Sequence, residues 1–419
     1  MPHATHTMDP RHRFSGSLDS NCERHRFTRY RDDFGGIPMS VISPSPTTRP
    51  EIHRPASRPK ETSRTNASTD TKSGFLFSPL IDLVFIANLF WPLIVFVDIF
   101  GGTTTHEGLL FWQIYFITAP HRWITIVLVS VDHHKSQDRR WLFAALALAI
   151  VTVCVGLQIG TGSLLCLGMI DYVWNAWHFS SQHHGIFRIY QRGSSSKSNL
   201  RSSDPFQATS QPPSTIQRFF QNKGSLLQKV FFRGFLLYAI ARVAGFGWVD
   251  GPFPAVPGIE IFDWAILGIP AAFAIAAIHR FLRSDNQSLA GMLYLLSVMS
   301  LFTALLLAAH YQNNRLVIQL ALASAIFHSM EYMSIVTWSM KKSGSKASNH
   351  PLARLSKIWI LFLGIFVLVI GLGNYLLSKG FFETWVTINL VVAFWHYCFD
   401  GMLWKSPKRP ATASAAGAT

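Results

Sequence analysis

Long apolar stretches follow one another along the chain from residue 74 to residue 405. Most are about 20 residues long, which an α-helix needs to cross the hydrocarbon core of a bilayer while satisfying its own backbone hydrogen bonds. The pattern predicts ten spans, at 75–99, 107–131, 141–159, 163–187, 230–249, 260–280, 288–309, 315–339, 358–377 and 382–404. We therefore expect an all-α, polytopic integral membrane protein with about ten transmembrane helices.

The loops between the predicted spans alternate in charge. Loops after even-numbered spans are basic, as in HHKSQDRR at 133–140 and KKSGSKASNHPLARLSK at 341–357. Loops after odd-numbered spans are neutral or acidic, or carry one or two basic residues. Because Lys and Arg accumulate in cytoplasmic loops, the alternation predicts that both termini are cytoplasmic and that the protein lies in the cell (cytoplasmic or inner) membrane.

Polar segments divide the chain further. Residues 1–73 and 406–419 lack hydrophobic periodicity and are predicted to be disordered tails, the first of them basic. A polar, Ser-rich and basic stretch at 191–228 is predicted to be a cytoplasmic linker. It would separate a four-helix membrane segment at 74–190 from a six-helix segment at 229–405.

The composition narrows the functional classes. Of 419 residues, 49% are hydrophobic and only 14% are charged, which is typical of a membrane protein. The net charge of +15 comes mostly from the tails and the alternate loops, so it indicates orientation in the bilayer rather than nucleic-acid binding. The four cysteines form no C-x-x-C pair, and we expect neither a disulfide framework nor a zinc knuckle.

Several histidines lie inside the predicted spans, where an ionisable side chain is costly and marks a candidate functional site. They are His121 in the second span, His178, His183 and His184 in the fourth, His328 in the eighth and His396 in the tenth. Three of them precede their basic flank by 13 or 14 residues, which places them at nearly equal depth, with the others closer to the cytoplasm. The spacing predicts one layer of six imidazoles, all candidate metal ligands.

Three carboxylates lie on the same helical faces as these histidines. Asp171, Glu331 and Asp400 are seven, three and four residues from a histidine of their own span. Residues at those separations are neighbours on a helix surface. Each carboxylate is therefore a candidate catalytic group, as a further ligand or as an acceptor that orients a histidine ring.

The fourth span presents a geometric conflict. On a regular helix His178 is about 140° from His183 and about 120° from His184, so the three cannot face one point. One solution is a break or a π-bulge near Ser180 and Ser181. In the other, His178 and the pair that follows it serve different neighbours.

The string HFSSQHH in the fourth span resembles the histidine boxes of membrane-bound non-haem iron enzymes, namely fatty-acid desaturases, hydroxylases and alkane monooxygenases. Their boxes have the form H-x-x-H-H, whereas HSMEY and HYCFD in this chain each offer one histidine and one carboxylate. In outline the chain is also similar to membrane β-carotene cleaving dioxygenases. The segments PHRWIT, WHFSSQHHGIFRIY and HYCFDGMLWK resemble a bacterial family of polytopic membrane proteins to which we assign no activity.

The first resemblance implies a non-haem iron oxidoreductase that acts on a lipid or another hydrophobic small molecule. Imidazoles mixed with carboxylates suit Fe, Zn, Cu or Mn. Two alternatives remain open: haem b held between two facing histidines, giving electron transfer, and a transporter that uses the polar layer as a proton or solute relay. Against transport, the polar residues concentrate in the cytoplasmic half, and the sequence suggests no pair of interrupted helices.

Overall fold

The structure is a computed structural model that describes residues 74–131, 140–201, 215–248, 253, 256–283, 288–344 and 355–404. Within these ranges every regular element is helical, which confirms the all-α prediction for this part of the chain. The two predicted disordered tails, 1–73 and 406–419, lie outside the described residues.

The main α-helices of the described residues are numbered α1 to α12. In chain order they are α1 (Pro79–Ile81), α2 (Trp91–Phe111), α3 (Ala119–Val131), α4 (Arg140–Thr161), α5 (Leu165–Arg201), α6 (Thr215–Val243), α7 (Ile259–Ile266), α8 (Gly268–Arg283), α9 (Leu289–His310), α10 (Asn314–Gly344), α11 (Trp359–Gly380) and α12 (Phe382–Leu403). Two π-helical segments accompany them: Asp82–Ile86 extends α1, and Trp112–Thr118 joins α2 to α3.

Six helical stretches are long and apolar enough to cross a membrane. They are Arg140–Thr161, Ile259–Arg283, Leu289–His310, Asn314–Lys342, Trp359–Gly380 and Phe382–Leu403, which correspond to the predicted third and sixth to tenth spans. The second, fourth and fifth predicted spans are helical but carry the polar residues that lower their mean hydropathy, such as Arg122, Asp171 and Arg242. The protein thus has the helices of a membrane protein, and the count of ten spans and the orientation stay predictions.

The predicted first span is bent. Pro79–Ile86 and Trp91–Gly102 meet at 53°, and together they would form a seventh span. Asn88 lies at the break with φ +47° and is fully buried. The sequence suggested no interrupted pair of helices. The structure has one pair of apolar helices broken at Asn88, whose left-handed backbone ends the first piece.

Helices α5 and α6 extend into the predicted linker at 191–228. α5 continues to Arg201 and α6 begins at Thr215, so both ends of that stretch are helical. The prolines of this stretch, Pro205, Pro212 and Pro213, all fall between the two helices. Proline interrupts a helix and polar residues do not, which accounts for the helical ends of this stretch, and its role as a linker stays a prediction.

Helices α9 and α10 form the centre of the bundle. Tyr294, Val298 and Phe302 of α9 are fully buried and pack with α6 and α10 in the largest apolar cluster. A second cluster, with Ile124 and Trp359, joins α3, α10, α11 and α12. By contrast α4 and α11 expose most of their apolar side chains, as expected for helices that face lipid. The polar residues described next lie between these two clusters.

Candidate metal centre

Four helices each contribute one imidazole to a closed ring of side chains. His121 of α3, His178 of α5, His328 of α10 and His396 of α12 are all at most 6% exposed. Neighbouring ring centroids are 4.7 Å (His178 to His396), 4.9 Å (His121 to His396), 5.2 Å (His178 to His328) and 5.3 Å (His121 to His328) apart. The structure therefore brings together four of the six predicted histidines in a layer that bulk water does not reach.

Nitrogen atoms within this ring have spacings that suit a metal ion. His121, His328 and His396 each offer one nitrogen, and the three atoms lie within 4.8 Å of one another. The Nε2 atoms of His178 and His396 are 3.0 Å apart. Two imidazole nitrogens in adjacent positions on one metal ion, with bonds of about 2.1 Å, would be about 3.0–3.4 Å apart. The spacing between His178 and His396 is compatible with two ligands of one metal ion, and it is also that of a hydrogen bond between the two rings.

A backbone carbonyl fixes the tautomer of His121. Its Nδ1 is 2.6 Å from the carbonyl oxygen of Thr118, where the π-helical segment ends, and 3.1 Å from Oγ of Ser329. Because a carbonyl only accepts, Nδ1 of a neutral ring carries the proton and Nε2 keeps its lone pair. Metal-binding histidines usually have a carbonyl or a carboxylate on the other ring nitrogen in this way.

Thr125 holds His396 in a similar manner. Its hydroxyl lies 2.7 Å from His396 Nδ1, one turn along α3 from His121, and 2.8 Å from the hydroxyl of Tyr332. All three side chains are buried. This chain of hydrogen bonds fixes the ring of His396, so that Nε2 faces His178.

His328 lacks any hydrogen-bond partner on either ring nitrogen, although it is only 2% exposed. A neutral imidazole has one N–H donor and one acceptor, and a buried group left without a partner costs about 1–3 kcal/mol. The ring is held in place by Phe179, which stacks on it with centroids 3.8 Å apart and planes 15° apart. The ring of His328 is therefore fixed and buried, with a nitrogen available to a metal ion, although it lacks the hydrogen bond on the second nitrogen that His121 has.

A second group shares His328. It consists of His183, His328 and Glu331, whose candidate ligand atoms also lie within 4.8 Å of one another. Glu331 is fully buried and has three hydrogen-bonding neighbours: His183 Nδ1 at 3.0 Å, Gln182 Nε2 at 2.8 Å and the Tyr294 hydroxyl at 3.0 Å. With Nδ1 engaged by the carboxylate, Nε2 of His183 is buried and has no partner. Glu331 therefore orients a second histidine with a free nitrogen.

Helix α5 resolves the conflict between its histidines without a break. It is a continuous α-helix through Ser180 and Ser181, and the π-helical segments lie elsewhere in the described chain. His178 faces His396, while His183, five residues later, faces Glu331. The structure is therefore nearer to the alternative without a break: the three histidines point in different directions, although His178 and His183 both lie beside His328.

Three of the predicted site residues lie outside both groups. His184 packs against Phe232 of α6, so five and not six of the predicted imidazoles meet; the turn of the helix carries His184 away from His183. Asp171 interacts with the hydroxyl of Tyr397 at 3.0 Å. Asp400 approaches the layer, with Oδ2 4.0 Å from His178 Nδ1.

Some residues of the centre had no clear signal in the sequence. Tyrosines of membrane proteins are common at the membrane interface, whereas Tyr294 is fully buried and donates a hydrogen bond to Glu331. Phe179 and Ser329 lie beside candidate ligands but are ordinary residues for an apolar helix. Only the contacts between helices identify them.

Comparisons with known protein families, with curated proteins and with solved structures find no match to this chain. The histidine-box resemblance therefore stays an expectation, and the argument about function depends on the geometry of the two groups.

Proposed function

We propose that this protein is a membrane metalloenzyme, an oxidoreductase that holds non-haem iron in its histidine layer and acts on a lipid or another hydrophobic substrate. His121, His328 and His396 are the proposed ligands, with His178 beside them. The observation that carries the proposal is His328, a buried and stacked imidazole with both nitrogens unpartnered between two histidine groups.

The donor atoms support iron as the metal. Imidazoles with carboxylates and without a thiolate suit iron, zinc, copper or manganese, and two histidines with one carboxylate are typical of non-haem iron oxygenases. The second group, with His183, His328 and Glu331, has that composition. Iron with open coordination positions supports oxidation by dioxygen, and a site buried among apolar helices limits side reactions with water.

The packing of the histidines argues against haem b. Two histidines on opposite sides of a haem iron would have nitrogens roughly 4 Å apart, twice a typical metal–imidazole bond, with the porphyrin between them. His178 and His396 have Nε2 atoms 3.0 Å apart and ring centroids 4.7 Å apart. This spacing favours two ligands in adjacent coordination positions of one metal ion.

Metal quantitation on the purified full chain tests the proposal. Wild type should contain near-stoichiometric iron without a Soret band, and His328→Gln should lose most of it, because a glutamine amide is a weak ligand for iron. His279→Gln is the matched control, since His279 is exposed on α8. Absence of iron from wild type, or equal metal content in both variants, would contradict the proposal.

Transport is a second candidate because the two helices in the region of the predicted first span meet at a bend of 53°. Broken helices next to buried polar residues are a feature of many transporters. Asn88 at the break is fully buried with both side-chain polar atoms unpartnered, and Oδ2 of the buried Asp98 is also unpartnered. Uptake of protons into proteoliposomes can be measured with a pH-sensitive dye. If Asn88→Leu abolishes it, and the wild-type protein contains no metal, transport is favoured over the enzyme.

A further inference from the structure

A second polar feature lies between helices α5 and α6, away from both histidine groups. His184 is 7% exposed, contacts the ring of Phe232 at a centroid distance of 5.6 Å and has no hydrogen-bond partner on Nε2. It follows His183 directly, so its side chain points about 100° away from the one that faces Glu331. The metal layer therefore makes no use of this imidazole.

Positive charge concentrates around His184. Arg188 is one turn after His184 on α5, and Arg233 is one turn after Lys229 on α6, where Arg233 follows the Phe232 that contacts His184. The guanidinium of Arg233 lies 5.3 Å from the ring centre of Trp177, and its Nε is buried without a partner. Arg188 donates a hydrogen bond to Oγ of Ser225 at 3.0 Å.

No carboxylate of these two helices balances that charge. α6 contains no Asp or Glu, and on α5 the sequence has none after Asp171. A cluster of cations with two unpartnered buried nitrogens is costly unless an anion neutralises it. The position therefore favours an anionic ligand.

The residues on both sides of the cluster are apolar and exposed. They are Trp177, Leu226, Leu227, Val230 and Phe231, each at least 50% exposed. Arg188 and Lys229 lie towards the predicted cytoplasmic ends of their helices. The acyl chains of a lipid would cover these apolar side chains while its headgroup contacts the cations. A small soluble anion has no acyl chains and would leave them exposed.

We propose that the crease between α5 and α6, formed by His184, Arg188, Lys229 and Arg233, binds the phosphate of an anionic phospholipid. The two guanidinium groups and the ammonium supply charge-assisted hydrogen bonds to the phosphate oxygens, and His184 donates from a ring N–H. Trp177 and the apolar residues beside it contact the acyl chains. This inference does not depend on the metal, and it goes beyond the proposed enzyme.

Thermal unfolding of the purified full chain with added lipid tests the proposal. Phosphatidylglycerol should raise the unfolding temperature in a neutral detergent, whereas phosphatidylcholine at the same concentration should not. The double variant Arg188→Gln with Arg233→Gln should bind phosphatidylglycerol about tenfold more weakly, or worse, because each lost charged contact is strong. Arg283→Gln is the matched control, an exposed arginine on α8.

Other outcomes would overturn the proposal. Equal effects of the two lipids, or an equal loss in the control, would remove the specific site. Stabilisation by inorganic phosphate alone would assign the crease to a soluble anion. If the double variant does not fold, the exposed Lys229→Gln replaces it and should weaken binding several-fold. Metal content should stay at the wild-type level in every one of these variants, which separates this test from that of the enzyme.

Discussion

Replacement of Glu331 by glutamine tests how the second histidine group is held. The carboxylate has three hydrogen-bonding neighbours, on Gln182, His183 and Tyr294, and none of its surface is exposed. A hydrogen bond to a charged group contributes about 1.5–3 kcal/mol, and breaking a buried pair costs about 3–5 kcal/mol. Glutamine keeps one acceptor oxygen but turns an N–H₂ group towards a donor. We therefore expect Glu331→Gln to lower the free energy of unfolding by about 3–5 kcal/mol.

Reversible unfolding in mixed micelles, followed by tryptophan fluorescence, gives the free energy of unfolding of wild type and of three variants. Tyr294→Phe removes one of the three donors and should cost about 1.5–3 kcal/mol. Glu107→Gln makes the same change on an exposed residue of α2 and should stay within about 0.5 kcal/mol of wild type. If Glu331→Gln costs no more than Glu107→Gln, the contacts of Glu331 with Gln182, His183 and Tyr294 do not stabilise the fold and the reasoning fails.

Two further changes test other contacts of the centre. Thr125→Val removes the partner of His396 Nδ1 and should weaken metal binding about 10- to 100-fold in a competition titration with a chelator; an unchanged affinity would show that this hydroxyl does not orient the ring. Gly371→Ala should cost about 1–3 kcal/mol of unfolding free energy, because an added Cβ would lie 2.5 Å from Cδ1 of Phe116, whereas Gly373→Ala on the same helix meets nothing within 4 Å. Equal stability of the two alanine variants would contradict the close approach of α11 to the π-helical segment.

Much of the fold follows from apolar length alone. A bilayer requires spans of about 20 residues, so the stretches around α4 and α8 to α12 are visible in the sequence. The bend at Asn88 is not visible, because it depends on one residue with positive φ whose surroundings come from other helices. The extension of α5 to Arg201 is not visible for a different reason: a polar helix has the composition of a linker.

The predicted depth of each histidine in the bilayer indicated which histidines could meet. His121, His178 and His328 were placed at one height by their distance from basic flanks, and their rings lie in contact in the structure. Height gives no information about rotation, so the place of His184 was missed. Tyr294 was missed as well, since a tyrosine in an apolar helix has many possible roles and only its contact with Glu331 identifies this one.

The shared position of His328 links the two histidine groups into one unit. Its ring has two nitrogens, and both groups need at least one of them. A substitution near His121 that moves the ring of His328 towards or away from α3 must therefore alter the distance between His328 and His183. Mutations in contacting residues of one network are not additive. Thr125 and Tyr294 hold different histidines. We nevertheless expect the double variant Thr125→Val with Tyr294→Phe to change metal affinity by a factor that differs from the product of the two single factors. Independent effects would mean that the groups are separate sites and that His328 belongs to only one of them.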